Sequence, residues 1–148
     1  MYATQEKFKK LLEVNEKLAG TVDLVSPTRQ LIKEGRIVKL SARNGVHQDR
    51  YIFLFNDMFL LCYPVLGLKQ QFKVSYKLSI DGMLVEEGDN LETPHTFYVK
   101  HKQKILELHC ETEEEKMTWH IALLNVISEW WLFGAFVGAC RCSCCVFS

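Results

Sequence analysis

The run from Gly35 to Tyr63 limits what this chain can become more than any other stretch. Ile37 to Ala42, Arg50 to Phe55 and Met58 to Tyr63 are rich in β-branched and aromatic residues, and only Asn56-Asp57 separates the last two. Two residues leave no room for a crossover helix, so these segments must pair antiparallel through a tight turn of residues that tolerate positive φ. The first two are joined by a polar loop containing Gly45, and Lys39, Arg43 and Arg50 stand where that loop opens. Cations clustered around a loop at a sheet end form a candidate anion site.

The chain continues in the same manner. Pro64 and Gly67 mark a loop, after which Phe72, Val74, Tyr76, Leu78 and Ile80 alternate with polar residues. That period of two predicts a strand with one buried face and one face in water. Asp81-Gly82 turns the chain into a short fifth strand, Met83 to Val85, followed by an acidic loop from Glu86 to Pro94 whose turn residues are Gly88, Asp89 and Asn90. Thr96 to Val99 and Ile105 to Cys110 pair through the basic turn Lys100 to Lys104, and all three prolines are expected between strands, where a missing N–H costs no ladder bond. A helix starts at Thr112, which forms a capping box with Glu115, while Glu113 and Glu114 add charge that a helix N-terminus favours. Its stripe of Trp119, Ala122, Leu123, Val126 and Trp130 needs a surface, and seven antiparallel strands supply one. Trp119 is therefore expected in the core. The fold class is mainly β with α: a seven-stranded antiparallel bent sheet or barrel capped by one C-terminal helix.

Ahead of the strands, residues 4–19 carry Phe8, Leu11, Leu12, Val14 and Leu18 at helical spacing among charges, with Gly20 as a stop. A lone helix of this length gains little stability, so it either packs on the following domain or ends a larger helical one. Residues 21–30, which include Pro27, are expected to be a linker, 31–131 the domain, and 132–148 a tail.

At 148 residues and 48% hydrophobic, the chain suits one domain with a sizeable core. A net charge of zero argues against nucleic acid as a partner, yet residues 1–77 carry 13 Lys and Arg against 7 Asp and Glu, while 78–148 carry 5 against 11. One basic face on a neutral protein is thus possible. Met1 to Lys17 is charged and lacks an apolar stretch, so no signal peptide is expected and the chain is read as cytosolic. Cys62 and Cys110 lie in apolar strands as buried thiols, which is no disulfide framework. His95, His101, His109 and His120 show no metal spacing, and no nucleophile elbow, P-loop, HExxH or paired carboxylates occur. Neither an enzyme activity nor a cofactor is expected.

Gly35 to Lys39, Arg50 to Asp57 and Glu114 to Ala122 resemble the first strand, second strand and tryptophan-bearing closing helix of a pleckstrin-homology (PH) domain. More narrowly, Asp23 to Thr28, Leu31 to Gly35, Lys39 to Gly45 and Gln48 to Tyr51 resemble the FYVE, RhoGEF and PH domain-containing family, where a Dbl-homology exchange domain is followed directly by such a domain. The resemblance implies that the leading helix is the end of the exchange domain. It also implies a non-catalytic module, peripheral at membrane or cytoskeleton and linked to actin regulation. The implied partners are an anionic phosphoinositide membrane, bound weakly, and a Rho-family GTPase engaged through the exchange domain, of which this sequence carries only the end. A protein-interaction module of the same superfold, holding a GTPase or peptide in place of lipid, is the alternative.

In such domains a Lys late in the first strand and a basic-x-Arg opening the second converge on inositol phosphates, which charge-assisted hydrogen bonds meet best. Lys39 and Arg50 match that pattern, whereas Gln48 replaces the first basic residue of the pair and Asp49 adds a negative charge beside the expected phosphates. Arg43, His47 and Lys69 complete the candidate set, with solvated loop charges as the competing reading. Lys100 to Lys104 is read as a solvated turn. In the tail, Trp130 to Ala139 is apolar but half the length of a membrane span, and Arg141 interrupts it. Cys140, Cys142, Cys144 and Cys145 are candidates for lipidation, and Cys145-Val146-Phe147-Ser148 fits a prenylation box. The abrupt loss of pattern favours the other reading, a transcript end of no selected function.

Overall fold

The computed structural model describes residues 2–18, 23–67, 70–88 and 94–141, with side chains described between Gln5 and Leu132. Helix α1 (Tyr2–Lys17) precedes β1 (Leu31–Leu40), β2 (His47–Phe55), β3 (Met58–Val65), β4 (Gln71–Ser79), β5 (Met83–Glu87), β6 (Thr96–His101) and β7 (Lys104–His109), and α2 (Glu113–Arg141) ends the order. The expected seven strands form one antiparallel sheet in the order β4-β3-β2-β1-β7-β6-β5. β1 is its seam, paired with β2 along its length and with β7 over Val38 to Leu40. The sheet bends there around a core that includes Ile37, Ile52, Leu54, Phe59, Leu106 and Leu108.

α2 closes that core with Trp119, Leu123 and Val126, all buried. It begins as a capped helix, with the Glu115 N–H donating to Thr112 Oγ1 at 3.1 Å. Gly35 lets the helix approach, because a Cβ there would stand 3.3 Å from Trp119 Cζ2. Within the otherwise apolar stripe, Lys116 is also buried and is paired with Glu87. The helix runs on past position 132 to Arg141.

Four local expectations are corrected. β1 starts at Leu31 rather than Ile37, because Lys33 to Arg36 pair with Leu54 to Tyr51 of β2 in spite of their charge. Pro64 lies inside β3, opposite Phe72, beyond the point where the β2 ladder ends at Cys62, an edge position of the kind proline tolerates. Asn56 and Asp57 do turn the chain, but neither has a positive φ. The turn is gripped from outside instead. Asn56 accepts from the Gln30 N–H and donates to the Thr28 carbonyl, both at 2.8 Å, and Asp57 takes Nε and Nη2 of Arg29.

β4 holds the fourth. Period-two alternation predicts one face for its apolar row, yet the β3–β4 register slips so that Leu61 faces Tyr76 while Cys62 faces Val74. Ser75 is the extra residue of a bulge. Tyr76, Leu78 and Ile80 therefore join the barrel core, whereas Phe72 and Val74 join a second cluster on the other face of the sheet. That cluster, with Phe53, Phe55, Leu60 and Cys62, is covered by Leu11, Val14 and Leu18 of α1 and by Leu24. The leading helix thus packs on the domain. Lys17 Nζ meets Glu34 Oε1 at 3.0 Å, and the Tyr51 hydroxyl donates to the same oxygen at 2.8 Å.

Candidate anion-binding site

Residues opposite one another in an antiparallel ladder point to the same face. Ile37 faces Arg50 and Lys39 faces Gln48, so the register continues the inner row of Ile37 and Ile52 into Lys39, Gln48 and Arg50 as the sheet leaves the core. There a cavity of about 380 Å³ is lined by Lys39, Ser41, Ala42, Arg43, Gln48, Arg50, Ser75 and Tyr76. The loop that opens it is set by Gly45 (φ 67°), whose N–H donates to the Ser41 carbonyl at 2.9 Å.

Three of the five residues expected at the site, Lys39, Arg43 and Arg50, share this cavity. His47 does not. It pairs with Leu40, and its ring lies 5.8 Å from that of His109. Lys69 falls outside the described residues, as do Cys142, Cys144 and Cys145; Cys140 lies within α2, with its side chain undescribed. Asp49 is absent from the lining as well. It faces Val38 across the ladder and borders a different cavity with Arg36, so strand alternation moves the unwelcome carboxylate off this wall. Arg50 also donates through Nη1 to the Asp49 carbonyl at 2.8 Å, and its guanidinium carbon stands 5.8 Å from the centre of the Tyr63 ring.

Two further residues belong to this place, Tyr76 and Lys104. The bulge at Ser75 turns Tyr76 inward, and Lys104 Nζ sits 4.1 Å from the ring centroid with Lys39 Nζ at 5.9 Å. The Tyr76 hydroxyl is held below its ordinary pKa by hydrogen bonding with Lys104, which together with the charges of Lys104, Lys39 and Arg50 outweighs burial acting the other way. A phenol that releases its proton more readily registers a positive local potential. Lys104 is the same distance in phase from Leu106 as Leu106 is from Leu108, a signal present in the sequence but hidden by the neighbouring Lys100 and Lys102. The expected turn from Lys100 to Lys104 shortens to Lys102 and Gln103, with Lys102 at a φ of 55°, while Lys100 lies within β6 opposite Ile105 and pairs with Glu86. The thiols of Cys62 and Cys110 are both pushed up to about 12 by burial, which leaves them unreactive where they lie.

The sequence pattern of the PH domain family matches residues 31–128. The FYVE, RhoGEF and PH domain-containing protein 1 of Mus musculus is 54% identical over 123 residues, covering 82% of this chain and 13% of that protein. The corresponding protein 3 of Homo sapiens is 50% identical over 115 residues, covering 77% and 16%. The chain therefore spans only a small part of the length of these relatives. Among solved structures, autoinhibited Vav1 superposes with a TM-score of 0.71 at 20% identity, over 86% of this chain and 23% of that one. The DH/PH domain of human ARHGEF11, solved with human RhoA and its inhibitor, gives 0.66 at 20% identity over 85% and 40%. Such identities speak for the fold. The match across 31–128, the β1–β2 register that carries Lys39 and Arg50, and the closing helix on Trp119 together lead to one statement: the chain belongs to the PH domain family.

Proposed function

We propose that this is the PH module of a Rho-family exchange factor, non-catalytic in itself, whose cationic mouth engages phosphoinositide headgroups at a membrane. The observation that carries the reading is the convergence of Lys39, Arg43 and Arg50 on one cavity, with Lys104 beside its Tyr76 wall. A phosphate entering there exchanges water for charge-assisted hydrogen bonds from several donors held on a rigid sheet end. With Gln48 in place of a basic residue, the attraction is modest and gains strength when several contacts act at one surface. α1 contributes orientation: its buried stripe and the Lys17–Glu34 pair fix the direction in which a preceding exchange domain would continue, and a Rho-family GTPase is met through that domain.

Vesicle binding with and without phosphoinositide tests the site. Lys39→Ala with Arg50→Ala should remove the phosphoinositide-dependent part of binding while the folded state persists; an unchanged signal would reject the site.

A further inference from the structure

α2 changes character along its length. From Glu113 to Val126 it has a buried stripe against the barrel and an exposed side, as a domain helix should. From Trp130 to Cys140 no charged residue occurs over eleven positions, and the helix ends at Arg141. Trp131 and Leu132 are 61% and 76% exposed. Trp130 still packs on the barrel core; beyond it, at about 100° per residue, the bulky apolar positions Trp131, Leu132, Phe133, Phe136 and Val137 take in about 240° of the circumference. A groove on a protein covers one side of a helix. Apolar residues on most sides call for a medium that surrounds it.

We propose that the last turns of α2 insert into the hydrocarbon of a lipid bilayer, as a monotopic anchor that recognises acyl chains rather than headgroups. Length commits the occupant further. Eleven residues rise about 16 Å, close to half of the roughly 30 Å hydrocarbon thickness. That is the depth of one leaflet, and no helix among the described residues is long and apolar enough to cross both. The exposed Trp131 at the start of the stretch suits the interface between headgroups and chains. This anchor does not depend on the cationic mouth, which lies on other elements and recognises another part of the lipid.

Flotation with pure phosphatidylcholine vesicles, neutral and without phosphoinositide, separates the two. The full chain, made in bacteria, should float with such vesicles, in high salt and with Lys39→Ala plus Arg50→Ala alike. Brominated acyl chains should quench its indole fluorescence. Trp131→Asp with Leu132→Asp replaces two exposed side chains, so the fold should survive with an unchanged melting temperature, while partitioning drops on the order of tenfold for each side chain. Protein left at the bottom of the gradient, flotation abolished by salt, or flotation equal in the variant would overturn the proposal. So would a dimer in solution that the variant dissolves without any quenching by brominated lipid, which would assign this face to a second copy of the chain.

Discussion

Asp57 holds Arg29 through two oxygens, with Nη2 at 2.9 Å from Oδ2 and Nε at 3.1 Å from each of Oδ1 and Oδ2. The same guanidinium donates through Nη1 to the carbonyls of Asp23 and Leu24 at 3.2 and 3.0 Å. One side chain therefore ties the segment leaving α1 to the β2–β3 turn. Residues 23–30 are a brace, and a helix body ahead of them would inherit a fixed angle to the barrel. Arg29→Ala strands a half-buried carboxylate and two carbonyls, and should lower unfolding free energy by about 1–3 kcal/mol. Arg29→Lys should recover little, because a single ammonium cannot reproduce the fork. Urea denaturation of the three proteins measures this, and a loss below a few tenths would mean the brace contributes nothing.

The helix that the brace holds should behave as part of the domain. Leu11 is buried over Phe53, Phe55 and Phe72, on a sheet face that would otherwise meet water. Leu11→Ala should cost about 2–5 kcal/mol, while Leu12→Ala, on the exposed side, should stay within about 0.5 kcal/mol. Amide exchange should quicken in β2 and β3 in the first variant only.

Most of the strand order was legible because turn residues and apolar runs report on neighbours in sequence. What stayed hidden depends on neighbours in space. Lys33, Glu34 and Arg36 look like a loop until β2 is placed beside them, and the alternation from Phe72 to Ile80 runs unbroken through Ser75, so only the partner register reveals the bulge. The site followed the same division. Strand position alone predicts that Lys39 and Arg50 share a wall, one step of alternation takes His47 off that wall, and only the bulge aims Tyr76 at the cations.

Tyr76 gives the site an optical and thermodynamic signature. Its folded pKa lies below the ordinary value of 10.0, so the folded chain sheds the proton before the unfolded chain does. The resulting stabilisation is absent at neutral pH, grows as pH rises through the folded pKa, and is complete only above the unfolded value. Urea midpoints of the parent and Tyr76→Phe should therefore keep a constant offset at neutral pH and diverge in alkali, with the parent gaining. A bound inositol phosphate would neutralise Lys104, Lys39 and Arg50 and move the phenol back up, which a phenolate absorbance titration would record. No upward movement at saturation would place the ligand elsewhere.

Two lysines of one hairpin decide whether the mouth or the general charge of the turn attracts the anion. Lys104 faces the Tyr76 ring, whereas Lys102 occupies the left-handed turn position and is exposed. Both are cations two residues apart, so a nonspecific field would weaken about equally on losing either one. A site built on the inner face would not. Lys104→Ala should reduce binding of a soluble inositol phosphate on the order of tenfold, the worth of one hydrogen bond to a charged group. Lys102→Ala should stay within about twofold and lose even that difference as salt screens it. Calorimetric titration of both variants at two salt concentrations reads the distinction, and equal losses would reduce Lys104 to a solvated turn charge.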